Sequence, residues 1–321
     1  MKLAVTSPLP VAVQPRAPEL TIVQPASGRL TAAELIACQP DALVCLLSDR
    51  VDDALLEALP RLQVVANVAV GLDNIDVAAA TARGVCVTNT PDVLTDATAE
   101  LTLALLLATA RRLTEGERLV RSGQWRGWAL DLLLGVPIAG ATLGIVGLGR
   151  IGGKVAQLGR ALGMQLCYAA PRPVAGAAAL GAVYLPLREL LRQADFVSLH
   201  CPLRAGTRTL LDRDALALMK PSAILLNTAR GELVDEDALC EMLETGRLWA
   251  AGLDVFCNEP QVSPRILACP RITLAPHLGS ATTKARTQMA ELAIDAAVSV
   301  LRGQPPKTLV NQAAWPPRGQ R

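Results

Sequence analysis

The sequence has very few aromatic side chains: four tryptophans, two tyrosines and two phenylalanines among 321 residues. Any core must therefore be packed mainly with Leu, Val, Ile and Ala. Hydrophobic residues nevertheless make up 51% of the chain and charged residues 19%, which excludes an intrinsically disordered protein. At this length we expect two domains, each large enough to bury a core of its own.

The sequence also lacks a strong charge of either sign. Its net charge of +2 is too small for the basic surface that nucleic-acid binding usually needs. The N-terminal stretch MKLAVTSPLP lacks the apolar run of a signal peptide. Residues 132–149 are uncharged, but Pro137 and five glycines interrupt them, so we interpret them as a linker and a buried strand rather than a membrane span. We therefore expect a cytoplasmic protein that binds neither a membrane nor nucleic acid.

No C-x-x-C pair occurs among the eight cysteines. Paired zinc ligands would need tighter clustering than this. Several of the cysteines lie inside apolar runs, where a thiol behaves as a small hydrophobic group. The spacing therefore predicts reduced cysteines and no metal site.

Short β-branched runs alternate with helical patterns over the first hundred residues. The runs that predict strands are LAVT, TIVQ, ALVCLL, LQVVANV and GVCVTN, and those that predict helices are LTAAELIACQ, DDALLEALP and NIDVAAATARG. Pro10, Pro15 and Pro18 argue against a helix before TIVQ. A long apolar helix is predicted from Ala97 to Leu113.

A second alternating series follows the long helix. Seven further strands are predicted at TLGIVG, MQLCYA, AVYLPL, DFVSLH, AILLNTA, AAGLDVF and RITLAPH. These runs are almost continuously apolar, which is typical of parallel strands covered on both faces. The segment TKARTQMAELAIDAAVSVLRG predicts a long helix near the C-terminus. The chain is therefore expected to be an α/β protein with parallel sheets.

The run GIVGLGRIG places a Gly147-x-Gly149-x-x-Gly152 motif between a predicted strand and a predicted helix. In this context the first glycine allows the tight turn, the second lets a pyrophosphate approach the backbone, and the third packs helix against strand. A phosphate-binding P-loop would need glycine at Leu148 and a hydroxyl at Val155, and the chain has neither. The motif therefore predicts a dinucleotide site, with a merely structural turn as the alternative.

The two histidines limit the choice of an acid–base residue near neutral pH. His200 ends the apolar strand DFVSLH, where we favour a structural role. His277 lies in APHLGSAT, after the last predicted strand, at the edge where open α/β sheets bind ligands. We interpret His277 as the proton-exchanging residue, and a structural role remains the alternative.

Two further strands end in residues suited to the same site. Arg230, in NTARG, offers a guanidinium for bidentate capture of a carboxylate. Glu259, in GLDVFCNEP, offers a carboxylate that accepts a ring N–H of a histidine and stabilises its charge. Each taken alone also fits a surface ion pair. Together with His277 and the glycine turn, the two residues favour an active site.

In their order along the chain, these motifs resemble the D-isomer-specific 2-hydroxyacid dehydrogenases. The resemblance extends over nearly the whole length and is carried by VAVGLDNID, DATAELTLALLLA, GIVGLGRIG, SLHCPL, LLNTARGELVDEDAL, AAGLDVF and APHLGSAT. It implies that Arg230, Glu259 and His277 are catalytic and that the substrate carboxylate binds Val70 and Gly71. Cys257 departs from the pattern, since acidic residues are frequent there in the family.

The resemblance further implies two Rossmann-like or flavodoxin-like parallel-sheet domains, with the active site in the cleft between them. The expected substrate domain is discontinuous, residues 1–97 plus 285–321, and the dinucleotide-binding domain is residues 98–284. The implied cofactor contacts are Thr98, Gly147, Gly149, Arg150, Ile151, Gly152, Cys201, Thr207, Thr228, Asp254, His277 and Gly279.

Within the family, the segment VRSGQWRGW is most similar to the glyoxylate/hydroxypyruvate reductase branch. This similarity implies reduction of a small 2-oxo acid to the D-2-hydroxy acid. Phosphoglycerate dehydrogenase, a phosphite or formate dehydrogenase and a non-enzymatic corepressor remain alternatives. The apolar long helix and the tryptophan-bearing arm that follows it imply a homodimer in which Trp128 reaches the neighbour's substrate pocket.

The nucleotide site lacks the acidic residue that usually binds the ribose hydroxyls of NAD. Ala170 occupies that position, and Arg172 follows two residues later. Alanine neither accepts a hydrogen bond nor repels a 2′-phosphate, whereas a guanidinium forms a charge-assisted pair with one. We therefore expect NADPH to be preferred over NADH, and the alternative is a site indifferent to the two.

Overall fold

The computed structural model describes residues 1–320 and divides into two compact units. One unit combines Met1–Leu94 with the segment from Ser280 onward, and the other is Thr95–Gly279. Each unit is built around a sheet in which every strand pair is parallel. The expectation of two parallel-sheet α/β domains is confirmed.

The first unit has a five-stranded sheet. Its strands are β1 (Lys2–Val5), β2 (Thr21–Val23), β3 (Ala42–Cys45), β4 (Val64–Asn67) and β5 (Cys86–Thr88), in the order β2-β1-β3-β4-β5. Three short helices connect them: α1 (Ala32–Cys38), α2 (Asp53–Ala58) and α3 (Val77–Ala82). Before β2 the chain forms only one turn of 3₁₀ helix, Gln14–Arg16, as the prolines in that segment suggest.

The second unit begins with two helices, α4 (Thr95–Ala110) and α5 (Leu113–Arg121). The prediction of one helix reaching Leu113 was wrong at this end. Arg112 adopts a left-handed backbone conformation (φ 53°), and its guanidinium binds the Glu115 carboxylate at 2.9 and 2.8 Å. Hydrophobic periodicity does not reveal such a local pair, so the break between the helices was missed.

A seven-stranded sheet forms the core of the second unit. Its strands are β6 (Thr142–Val146), β7 (Gln165–Ala169), β8 (Ala182–Tyr184), β9 (Phe196–Leu199), β10 (Ile224–Asn227), β11 (Ala250–Leu253) and β12 (Ile272–Leu274), in the order β12-β11-β10-β9-β6-β7-β8. The helices among them are α6 (Arg150–Ala161), α7 (Leu187–Gln193), α8 (Arg213–Leu216), α9 (Glu236–Glu244) and α10 (Pro264–Ala268). All seven predicted strands are present.

The last helix, α11 (Thr283–Leu301), packs against β3, β4 and β5 of the first unit. Its buried face is rich in alanine, including Ala290, Ala293 and Ala297. The side chains on this buried face are therefore mostly small. Among residues 1–320 no helix is both long and apolar enough to cross a lipid bilayer.

Candidate active site

The glycine motif forms the turn from β6 into α6. Gly147 has φ 97°, and a Cβ there would lie 2.8 Å from the backbone N of Cys201. A Cβ on Gly152 would lie 2.1 Å from the carbonyl oxygen of Gly147, whereas one on Gly149 would meet nothing within 4 Å. Two glycines are therefore required for close packing, and the third leaves the backbone open to a ligand.

Helix α6 begins at this open turn. Its N-cap is Gly149, which has no side chain to bond the first amides, and Arg150 and Ile151 form the first turn. An uncapped N-terminus of a twelve-residue helix presents N–H groups and a positive dipole end to an anion. These residues fit the pyrophosphate of a dinucleotide.

Four of the expected cofactor residues lie close together on the second unit. Within the apolar helix α4, the Thr102 hydroxyl donates to the carbonyl of Thr98 at 2.8 Å and lies 2.9 Å from the Thr228 hydroxyl. A Cβ on Gly279 would lie 3.5 Å from both Asp254 Oδ2 and Thr98 Cγ2. Thr102 was missed from the sequence, although its spacing of four residues from Thr98 within an apolar helix was a usable signal.

Three further expected residues, Thr207, Arg172 and Trp128, lie outside this group. Thr207 lies in a turn of 3₁₀ helix after β9, where its hydroxyl donates to the Pro202 carbonyl at 2.7 Å and accepts the Arg204 N–H at 2.8 Å. Arg172 is an exposed residue after β7. Trp128, the expected substrate residue of the arm, lies in the segment after α5 with 81% of its surface exposed.

The three residues expected to be catalytic follow three adjacent strands of the second sheet. Arg230 follows β10, Glu259 follows β11 and His277 follows β12. The carboxyl ends of neighbouring parallel strands meet at one edge of a sheet, which brings the three side chains to the same edge. Glu259 Oε2 lies 2.7 Å from His277 Nδ1, and the positive charge of Arg230 helps to lower the Glu259 pKa.

Burial and hydrogen bonding act on Glu259 in opposite directions. Burial raises the pKa of its carboxyl, but the bonds from His277 and from the Phe256 N–H (2.9 Å) lower it, so the pKa lies below its ordinary value. Glu259 is therefore ionised at neutral pH. An ionised carboxylate accepts the Nδ1–H of His277, which leaves Nε2 as the nitrogen that exchanges a proton with a substrate.

The backbone of His277 is held in an uncommon conformation. Its φ is 55°, in the left-handed region, and its N–H donates to the Asp254 carbonyl at 2.8 Å. Both carboxylate oxygens of Asp254 accept backbone N–H groups, from Leu278 at 2.6 Å and Gly279 at 2.9 Å. Asp254 is fully buried, and burial raises its pKa despite these bonds. Asp254 thus fixes the loop that carries the imidazole.

The side chain of Asn227 makes two hydrogen bonds to the backbone of the turn that carries Arg230. The Asn227 amide donates to the Arg230 carbonyl at 2.7 Å and accepts the Ala229 N–H at 3.0 Å. A Cβ on Gly231 would lie 2.0 Å from the carbonyl carbon of Phe256. Gly231 was missed from the sequence, and its position directly after Arg230 was the signal, since only glycine allows this contact with the Glu259 loop.

The first unit holds the segment expected to bind the substrate carboxylate. The carbonyls of Val70 and Gly71 accept bonds from the Asn89 and Asn67 amides at 2.9 and 2.8 Å. Among residues 1–320, no hydrogen bond is found from the N–H groups of Val70 or Gly71. A segment with anchored carbonyls and available N–H groups suits an anion.

The other histidine is a contrasting case. His200 follows β9, its Nε2 lies 2.7 Å from the Ser198 hydroxyl, and its N–H donates to the Val146 carbonyl at 2.8 Å. Burial lowers its pKa to about 4. His200 is thus neutral at pH 7, and no carboxylate among residues 1–320 pairs with its ring.

Comparison with known proteins assigns these motifs to a family. The model of the D-isomer specific 2-hydroxyacid dehydrogenase NAD-binding domain matches residues 103–279, more than half of the chain. Glyoxylate reductase of Thermococcus litoralis is 47% identical over 277 residues, which cover 85% of this chain and 84% of that protein. The chain belongs to the D-isomer-specific 2-hydroxyacid dehydrogenase family. It is therefore a nicotinamide-dependent oxidoreductase.

Solved structures agree with this assignment. A Thermus thermophilus protein has a TM-score of 0.90 and 44% identity, covering 97% of this chain and 100% of that one. The NADPH-dependent glyoxylate/hydroxypyruvate reductase of Sinorhizobium meliloti, in complex with NADP and malonate, has a TM-score of 0.88 and 35% identity, covering 99% and 98%. The resemblance to the glyoxylate reductase branch is confirmed.

Proposed function

We propose that this dehydrogenase reduces small 2-oxo acids, with glyoxylate and hydroxypyruvate as first candidates, and that its chiral products are D-2-hydroxy acids. The observation that carries the proposal is the pair of His277 and Glu259 at 2.7 Å, on the sheet edge that also bears Arg230. The glyoxylate reductases of several archaea, at 47–48% identity, support the substrate class.

Arg230 is the proposed anchor of the substrate carboxylate, since a guanidinium binds a carboxylate through two parallel hydrogen bonds. Val70 and Gly71 are proposed as further ligands of that carboxylate, supported by their available N–H groups and by the family motif. Holding the carboxylate fixes the orientation of the C2 carbonyl. This fixed orientation is the source of the rate advantage of a positioned substrate.

His277 is the proposed proton donor. Its Nδ1–H is bound by the ionised Glu259, so the protonated ring presents Nε2–H to the C2 oxygen. The glycine turn before α6 would hold the reduced nicotinamide cofactor, which would supply the hydride that C2 accepts. The carboxylate of Glu259, 2.7 Å from Nδ1, fixes the orientation of the imidazole. Asp254 keeps the His277 loop in place throughout.

NADPH is the proposed cofactor. The residues after β7 are Ala170, Pro171 and Arg172, which include no carboxylate to repel a 2′-phosphate. The exposed guanidinium of Arg172 is available for a charge-assisted pair with that phosphate. The NADP complex of the Sinorhizobium meliloti reductase supports this assignment.

A panel of substrates with both cofactors tests the proposal. Wild-type protein is assayed with glyoxylate, hydroxypyruvate and larger 2-oxo acids in the presence of NADPH or NADH. The hydride donors 3-phosphoglycerate, phosphite and formate are assayed with NADP⁺ or NAD⁺. We expect the highest kcat/KM for a small 2-oxo acid with NADPH, and D-glycerate from hydroxypyruvate. Turnover of phosphite, formate or 3-phosphoglycerate in preference to the 2-oxo acids would contradict it, as would the L-product.

Arg172→Ala tests the cofactor assignment separately. Loss of one charge-assisted pair is expected to lower kcat/KM for NADPH by about ten- to hundredfold and to leave the value for NADH nearly unchanged. Arg188→Ala, which removes an exposed arginine in α7 of the same unit, is the control. Equal efficiency with the two cofactors in wild type, unaltered by Arg172→Ala, would contradict the NADPH assignment.

A homodimer is proposed from the exposed apolar surface around α5 and the arm after it. The exposed fractions are 64% for Leu113, 60% for Val120, 81% for Trp128 and 81% for Leu130. Large apolar groups exposed together in this way mark an interaction surface, and we propose that Trp128 reaches the partner's substrate site. A monomeric mass in sedimentation at micromolar protein would contradict this assignment.

A further inference from the structure

The carboxylate of Glu236 reaches across to the loop that carries Glu259. Glu236 is the first residue of α9, and its Oε1 accepts the Cys257 N–H at 2.8 Å. The preceding N–H of that loop, from Phe256, binds Glu259 itself at 2.9 Å. Two successive N–H groups of one loop thus bind two different carboxylates, and one of these carboxylates, that of Glu259, holds His277.

The same stretch of chain contacts the loop a second time through Gly231. A Cβ on Gly231 would lie 2.0 Å from the carbonyl carbon of Phe256 and 2.3 Å from the nitrogen of Cys257. The Phe256–Cys257 peptide therefore packs against the Gly231 backbone and donates its N–H to Glu236. Gly231 directly follows Arg230, so the segment that presents the guanidinium also holds the loop that presents the carboxylate.

The pKa of the Cys257 thiol is consistent with the same contact. Burial raises its pKa to about 12, and the charge and hydrogen bonding of Glu236 add to the rise. The side chain of Cys257 is thus neutral and lies against Glu236.

We propose that Glu236 is a positioning residue, which fixes Glu259 and, through it, the His277 imidazole relative to Arg230. This proposal rests on the proposed reductase function. An acidic residue in the first turn of a helix also stabilises that helix through its dipole. Asp237 is in the same turn, is 82% exposed in its side chain and pairs with Arg265, so it has the dipole effect without the loop contact.

Variants of Glu236 separate the effect of side-chain length from the effect of side-chain charge. Glu236→Gln keeps the length and an acceptor oxygen without the charge, whereas Glu236→Asp keeps the charge but is one methylene shorter. We expect Glu236→Asp and Glu236→Ala to lower kcat for glyoxylate reduction by about ten- to hundredfold, with little change in KM for NADPH. Glu236→Gln and the control Asp237→Ala should retain most of the wild-type rate.

The pH profile distinguishes positioning from a general loss of structure. A displaced Glu259 changes the surroundings of the proton-donating imidazole, so the basic limb of the kcat profile should move in Glu236→Asp and Glu236→Ala. Loss of folded protein alone would scale the profile without moving it. An unmoved limb in these variants, or Glu236→Gln as slow as Glu236→Ala, would overturn the proposal.

Alkylation of Cys257, followed by peptide mass spectrometry, tests the contact without any assay of turnover. Glu236→Asp and Glu236→Ala should speed the labelling of Cys257 several-fold and leave that of Cys38, in the first unit, unchanged. Wild-type labelling rates in Glu236→Asp would overturn the proposal. If instead Cys257 becomes reactive but wild type reduces no 2-oxo acid, the failure lies in the proposed function.

Discussion

The two histidines occupy similar places in the chain and have opposite surroundings. Each follows a strand of the seven-stranded sheet, His200 after β9 and His277 after β12. His200 faces a serine hydroxyl and is buried enough for its pKa to fall to about 4. His277 faces an ionised carboxylate at 2.7 Å, with 27% of its side chain exposed. The partner and the burial, rather than the position at a strand end, distinguish a structural imidazole from a reactive one.

The largest difference between the two histidines is expected in turnover. His277→Ala should lower kcat for 2-oxo acid reduction by about two to four orders of magnitude, the usual contribution of a general acid. His200→Ala should retain most of the activity per folded molecule, because a neutral imidazole is too weak an acid to donate its N–H proton. Steady-state kinetics with active-site-normalised protein measures both. The reverse pattern would transfer the catalytic role to His200.

The partners of the two histidines should differ in the same direction. Glu259→Gln removes the charge beside His277, and we expect kcat to fall by about ten- to hundredfold and the basic limb of the pH–rate profile to move. Ser198→Ala, the matched change beside His200, should not move the profile. Because the Glu259 pKa lies below its ordinary value, the carboxylate stays ionised as the pH falls through that value. Identical pH profiles for the two variants would refute the distinction.

The third expected difference is in stability rather than in turnover, and it is seen only in acid. The pKa of His200 falls from 6.5 to about 4 on folding, so between these values the unfolded chain binds a proton that the folded chain does not. The free energy of unfolding should therefore decrease as the pH drops through this window, by about 3 kcal/mol at most. Urea unfolding at several pH values measures it, and His200→Asn should remove this part of the decrease. His277→Ala should keep it.

Much of the fold and of the candidate site could be predicted from the sequence. Near-continuous apolar runs indicated the parallel strands, and the glycine spacing indicated the turn before α6, because both patterns reflect local geometry. The roles of Gly231 and Glu236 depend on a contact between loops far apart in the chain, which no local pattern encodes. The break at Arg112 depends on a single side-chain pair with Glu115.

The candidate catalytic residues were predicted from their type and from their place at a strand end. The distance between His277 and Glu259, and the bonds that hold their loops, emerged only from the structure. Arg172 remains a prediction, since its role depends on a cofactor contact. The proposed roles of Val70, Gly71 and Trp128 await the same kind of test.

Chemical rescue of His277→Ala by added imidazole tests the central claim most directly. If His277 is the proton donor, exogenous imidazolium should restore reduction of glyoxylate in this variant, in proportion to the imidazolium concentration and less as the pH rises. The same additions should not accelerate wild type, Arg230→Ala or His200→Ala. A residual rate in His277→Ala that does not respond to imidazole, or that rises equally in all four proteins, would contradict the assignment of His277 as the proton donor.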